Sequence, residues 1–119
     1  MRDAFEIGNR SIDSGTIQQA ALQVGPAADG RSREIPLLVC HGATEGPILW
    51  INGATHGDEP EGAFSIFRLF DQLDSSALSG TVVGVPAMNV PAFEAGKRGD
   101  PLDSFTYDMN RIYPGHFDG

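Results

Sequence analysis

His56 and Glu59 stand three residues apart in the stretch Gly53-Ala54-Thr55-His56-Gly57-Asp58-Glu59-Pro60-Glu61. Histidine and glutamate are ligand types of hydrolytic zinc sites, which use two histidines and one glutamate and leave a fourth position open. The pair could therefore supply two of three protein ligands. A His-x-x-acid spacing also arises by chance, and Glu59 could simply be an acid favoured at a helix N-terminus by the macrodipole. The surrounding chain has to decide between these readings.

The elements around the pair favour a site. An apolar run over residues 48–54 leads into it and reads as a strand buried on both faces of a sheet. An amphipathic run over residues 62–73 leads out. Asp58 is the expected N-cap and Pro60 suits the first helical turn. Ala63, Ile66, Phe67, Phe70 and Leu73 form its apolar face. Residues 81–87 (TVVGVPA) read as a second buried strand, which completes a parallel strand–helix–strand unit. In open α/β sheets, ligands bind at the carboxyl ends of such strands.

Upstream, residues 16–24 and 33–41 read as strands separated by turn chemistry at Gly25-Pro26 and Asp29-Gly30. Pro36 marks an edge position or a bulge in the second of them. Residues 1–15 carry mixed charge and read as an irregular arm. Residues 89–95 read as a short helical turn, followed by a loop. His41 reads as a polar strand-end group and His116 as a loop residue.

Composition narrows the classes. The chain has 119 residues, 40% hydrophobic and 20% charged, as ordinary globular domains do. Its net charge of −8 argues against nucleic acid and against an anionic membrane surface as partner. Cys40 is the sole cysteine, so no intrachain disulfide can form, and a cytoplasmic location is the simplest expectation. The N-terminus carries no long apolar segment.

The loops after the two central strands hold further polar groups: Asn89, Lys97, Arg98, Asp108, Asn110 and Arg111. With parallel neighbouring strands, these groups share one sheet edge with His56 and Glu59. Arginine's planar fork binds a carboxylate through two hydrogen bonds, so such an edge suits a small anionic substrate. The bland alternative for Asp108-Met109-Asn110-Arg111 is a solvated loop with a surface ion pair.

Three stretches then occur in order: Gly53-Ala54-Thr55-His56-Gly57-Asp58-Glu59; Pro86-Ala87-Met88-Asn89-Val90-Pro91-Ala92-Phe93; and, after Arg98, Asp108-Met109-Asn110-Arg111-Ile112-Tyr113-Pro114-Gly115. In these residues the chain resembles the succinylglutamate desuccinylase/aspartoacylase family, relatives of the zinc carboxypeptidases. Val90, set between Asn89 and Pro91, departs from the family's middle motif. The resemblance implies an α/β fold with a mixed sheet and flanking helices, zinc carboxypeptidase-like and incomplete C-terminally. It implies that residues 1–119 are the N-terminal portion of a single zinc-hydrolase catalytic domain. It assigns His56 and Glu59 to one zinc ion, Arg98 to the substrate carboxylate or scissile carbonyl, and Asn110 with Arg111 to the substrate carboxylate.

The third zinc ligand, a histidine, and the general base, a glutamate, are expected beyond Gly119. The chain by itself is accordingly expected to bind zinc weakly and to be inactive. The expected function is hydrolysis of an amide or ester in an N-acyl amino acid-like substrate. Two alternatives stay open: a non-catalytic module binding a small acidic ligand, and a subunit completed by another chain. A homo-oligomer is a further open possibility.

Overall fold

The computed structural model of the chain describes residues 2–102 and 108–116. Two short strands, β1 (Phe5–Ile7) and β2 (Arg10–Ile12), pair antiparallel. Four longer strands follow: β3 (Thr16–Pro26), β4 (Ser32–His41), β5 (Thr44–Asn52) and β6 (Ser79–Val85). They form one sheet in the order β3-β4-β6-β5. The β3/β4 and β4/β6 pairs are antiparallel and the β5/β6 pair is parallel, so the sheet is mixed as expected. Helix α1 (Glu61–Gln72) connects β5 to β6, and helix α2 (Val90–Ala95) follows β6. A 3-10 turn spans Met109–Arg111. None of the described helices is long and apolar enough to cross a membrane.

Alternation along the strands divides the core into two faces. One face buries Ile12, Ala20, Leu37, Val39, Val83 and Val85. The other buries Cys40 and Val82 beneath Ile66 and Phe70 of α1. Each fully buried Val or Leu here contributes roughly 1.5–3 kcal/mol. Gly84 lies directly under Ile66 and Phe70, where a Cβ would stand 2.8 and 2.7 Å from their side chains, so its bareness lets α1 settle onto β6.

Several expectations need correction. The first fifteen residues are not irregular: Phe5, Ile7 and Ile12 close a hairpin over the first core face, alongside Leu22 and Ile35. Three apolar residues in a charged stretch were too few to show periodicity. Asp58 does not cap α1. An intervening turn, closed by Glu59 N–H donating to the His56 carbonyl at 3.3 Å, delays the helix until Pro60 occupies the N-cap without a side-chain cap. Phe67, placed on the apolar face, is 47% exposed. Pro36 does lie where β4 has one partner, since the β4–β6 pairing begins at Leu38.

The largest correction concerns β5. Its apolar run predicted burial on both faces, yet Ile48, Leu49 and Trp50 are all exposed. The reason is position: β5 ends the sheet order, so among the described residues only β6 pairs with it as a strand. The exposed run Ile48-Leu49-Trp50 carries no charge, Glu45 lying near the start of the strand, and a free strand edge of this kind is a template for pairing with another chain. Any association of copies through this edge, read for the purified chain by size-exclusion chromatography with light scattering, is expected to fall in Ile48→Lys, with little change in melting temperature. An association state equal to that of wild type would show that this edge does not pair copies.

Candidate functional site

The loop after β5 carries the site, and it is stitched to the loop after β6. Gly53 N–H donates to the Val85 carbonyl at 2.8 Å, Met88 N–H to that of Gly53 at 2.9 Å and Asn89 N–H to that of Ala54 at 3.2 Å. Ala54 holds φ 46°, a left-handed conformation uncommon outside glycine and often found at functional loops. Gly57 presses against the end of α2: a Cβ there would lie 2.0 Å from the Ala92 carbonyl group and 2.4 Å from the Lys97 oxygen. Only glycine permits that approach.

Asn89 and Gly96 bound α2. The Asn89 side-chain oxygen accepts from Ala92 N–H at 3.4 Å, and Gly96 ends the helix at φ 65° with Lys97 N–H donating to Ala92. Asn89, a polar group at the sheet edge, therefore serves as a helix cap. Arg98 leaves the scaffold one residue after Lys97.

The His56 side chain is 10% exposed and has a carboxylate on each ring nitrogen. Nδ1 meets Glu59 Oε2 at 2.7 Å, and Nε2 meets Asp108 Oδ1 at 2.7 Å. Asp108 Oδ1 also accepts from Asn110 N–H at 2.9 Å, while Arg98 Nη2 lies 3.2 Å from Asp108 Oδ2. The result is a continuous row: Glu59, His56, Asp108, Arg98.

An imidazole donates from both nitrogens only when protonated. The hydrogen bond to Asp108, followed by that to Glu59, accordingly raises the His56 pKa above its ordinary value, against opposing contributions from desolvation and then from Arg98. The hydrogen bond from His56 holds the Asp108 carboxyl below the usual carboxylate range. A raised histidine pKa gives stability that is complete below the unfolded value and is lost as pH rises through the folded one. A depressed Asp108 pKa gives stability present above its unfolded value and lost as pH falls through the folded one. Both shifts describe one bond, so the metal-free pair is strongest between the depressed Asp108 pKa and the raised His56 pKa. Metal-free wild type should lose more stability than His56→Gln as pH rises from 6 to 8, read as the difference between thermal melts. Parallel curves for the two proteins would mean that the bond does not form in solution.

The same geometry suits a metal ion. Nδ1 of His56 and Oε2 of Glu59, 2.7 Å apart, are donor types that would hold a zinc ion between them. Nε2–H would then donate to Asp108, the outer carboxylate that orients metal-bound histidines and sets their tautomer. Among the described residues, no group of three or more His, Cys, Asp or Glu side chains is placed to hold an ion. His41 is buried at the end of β4, with Nδ1 2.8 Å from Thr81 Oγ1 and Nε2 2.8 Å from the Asp3 carbonyl, away from His56's row of partners. His116 lies outside any regular element and is exposed.

The predicted substrate residues fare unequally. Arg98 joins the row through Asp108, Asn110 joins it by its backbone N–H, and Arg111 sits exposed on the same 3-10 turn. Asp108 was expected at the same sheet edge but was given no role in the site. Its signal was available, since a metal-bound histidine calls for an orienting carboxylate and Asp108 opens the Asn110-Arg111 motif. Residues 103–107, part of the loop expected to border the site, lie outside the described residues.

The succinylglutamate desuccinylase/aspartoacylase catalytic domain matches residues 45–119. Over 75 residues the chain is 41% identical to the N-alpha-acetyl-L-2,4-diaminobutyric acid deacetylase of Halomonas elongata, covering 63% of this chain and 21% of that enzyme. The product-bound ectoine utilization protein EutE (DoeB) of Ruegeria pomeroyi superposes with a TM-score of 0.79 at 31% identity, over 100% of this chain and 36% of that one. An aspartoacylase family protein of Mesorhizobium loti gives 0.73 at 33% identity, over 90% of this chain and 33% of that one. The chain thus spans about a third of these solved relatives' length.

Proposed function

Because the chain belongs to the succinylglutamate desuccinylase/aspartoacylase family, we propose that it carries part of the active site of a zinc-dependent hydrolase acting on N-acyl amino acids. In this reading His56 and Glu59 hold the ion, and Arg98, Asn110 and Arg111 bind a small substrate bearing a carboxylate. The observation that carries it is the convergence of His56 Nδ1 and Glu59 Oε2 at 2.7 Å, with Asp108 on the ring's other nitrogen.

The chemistry that zinc supplies when bound is a water acidified to a pKa of about 7 and a polarised carbonyl. The chain's own residues prepare for it. Asp108 keeps the ring proton on Nε2, which leaves the Nδ1 lone pair free to bind metal. The Glu59 carboxylate offsets the ion's charge. Arg111, exposed on its turn, offers a planar fork to the substrate carboxylate. Proton transfer to a general base is assigned to none of the described residues. The products are a free carboxylic acid and an amino acid, and an ester would be cleaved by the same chemistry.

A chimaera tests this. Residues 45–119, the span that matches the family, would replace the corresponding segment of the Halomonas deacetylase. The chimaera is expected to hydrolyse an N-acetyl amino acid in a zinc-dependent way and to use its carboxamide analogue poorly. Arg111→Lys within it should cost about 2–4 kcal/mol in kcat/KM, because an ammonium cannot reproduce the paired hydrogen bonds. A folded, zinc-loaded chimaera without turnover would reject the hydrolase reading. The binding-module alternative predicts the reverse for the chain alone: uptake of a small acid that is indifferent to zinc.

A further inference from the structure

Arg98 does not stand free for substrate in this structure. Its Nη2 lies 3.2 Å from Asp108 Oδ2, and the other oxygen of that carboxylate accepts from His56 and from the Asn110 backbone. Both Asp108 oxygens are thus engaged, by groups from three separate segments. The segment bearing Arg98 is anchored in turn: Lys97 N–H bonds to Ala92, and Gly57 packs against the Ala92 and Lys97 carbonyls one residue from His56.

We propose that Arg98 is a positioning residue for the metal site, acting through Asp108 on the orientation of His56. This rests on the reading of His56 and Glu59 as metal ligands. Without Arg98, Asp108 keeps its contacts on Oδ1 but nothing described restrains Oδ2, and the carboxylate can turn about the Cβ–Cγ bond. The imidazole, held at Nε2 by that carboxylate, then no longer aims Nδ1 at the point shared with Glu59. Outer partners of this kind typically change metal affinity by 10–100-fold. A guanidinium has five N–H donors, so those not facing Asp108 remain able to meet a substrate oxygen.

As an ion pair the contact is a poor source of stability, because the Arg98 side chain is 53% exposed. The informative readout is therefore metal affinity rather than melting temperature. Zinc would be titrated calorimetrically into the purified chain and into Arg98→Ala, Arg98→Lys, Asp108→Asn and the Arg98→Ala/Asp108→Asn double variant. Arg68→Ala, on the exposed side of α1, controls for the loss of one positive charge. Arg98→Ala should weaken zinc binding by roughly 10-fold, the lower end for such partners. Arg98→Lys should recover part of the loss, and Arg68→Ala should bind as wild type does. The double variant should bind no more weakly than Asp108→Asn alone, because Arg98 acts only through that carboxylate.

Wild-type affinity in Arg98→Ala, with Asp108→Asn weakened, would overturn the proposal and leave the metal-ligand reading standing. Additive losses in the double variant would overturn it as well, since Arg98 would then act by another route. Wild-type zinc binding left unchanged by His56→Ala would instead reject the metal-ligand reading, and this inference with it.

Discussion

His56→Ala is expected to remove zinc binding from this chain, while Asp108→Asn only weakens it by about 10–100-fold. The difference follows from where each side chain stands. His56 supplies one of two adjacent donor atoms, so its loss leaves Glu59 alone. Asp108 touches only the far side of the ring, so its loss frees the imidazole to rotate but leaves both donors present. Wild-type affinity should itself be modest, because stable zinc sites use three or four protein ligands. It should also rise with pH, because the ion competes with a proton that two carboxylates hold on His56. Zinc titrations of the three proteins at pH 6, 7 and 8 measure all of this. Equal, stoichiometric zinc uptake by wild type and His56→Ala would place the metal elsewhere in the molecule. In the chimaera with the Halomonas deacetylase, the same substitution should abolish turnover.

Gly57→Ala should be the most damaging single methyl group that can be added near the site. Its Cβ would stand 2.0 Å from the Ala92 carbonyl carbon and oxygen and 2.4 Å from the Lys97 oxygen. All three are backbone atoms, so no change of rotamer relieves the overlap. Either the loop after β5 or α2 must move, at a cost of about 3 kcal/mol, the upper part of the usual range for overpacking. His56 is the neighbouring residue, so zinc affinity should fall along with stability. Gly96→Ala provides the contrast. It meets nothing within 4 Å, and its φ of 65° is the sole difficulty, which costs about 1–2 kcal/mol. Urea unfolding of both variants separates a steric cost from a conformational one. A Gly57→Ala protein no less stable than Gly96→Ala would mean that the loop and α2 are farther apart than described.

How much of this could be read beforehand differs from residue to residue. The contact between His56 and Glu59 was legible because three residues of separation at a strand-to-helix junction is a local relation. It survives whatever the rest of the chain does. The parallel pairing of β5 with β6 through α1 was legible for a similar reason: a strand, an amphipathic helix and a strand within about forty residues have few ways to pack. The mixed sheet was an expectation from the family resemblance, and the strand order bears it out.

Other features depended on partners that local patterns do not name. The apolar run in β5 speaks of an environment to be excluded from water but not of which strand lies beside it, so its exposed edge appeared only with the sheet order. Phe5, Ile7 and Ile12 alternate over too short a stretch to show that they cap one face of the core. Most plainly, Asp108 lies 52 residues from His56 along the chain and 2.7 Å from it in space. The sequence by itself determined which residue types could hold a metal and where the nearest two stand. Only the tertiary structure decided that Asp108 occupies the second ring nitrogen and that Arg98 holds Asp108, because a contact across that separation depends on how β6, α2 and the 3-10 turn return to the loop after β5.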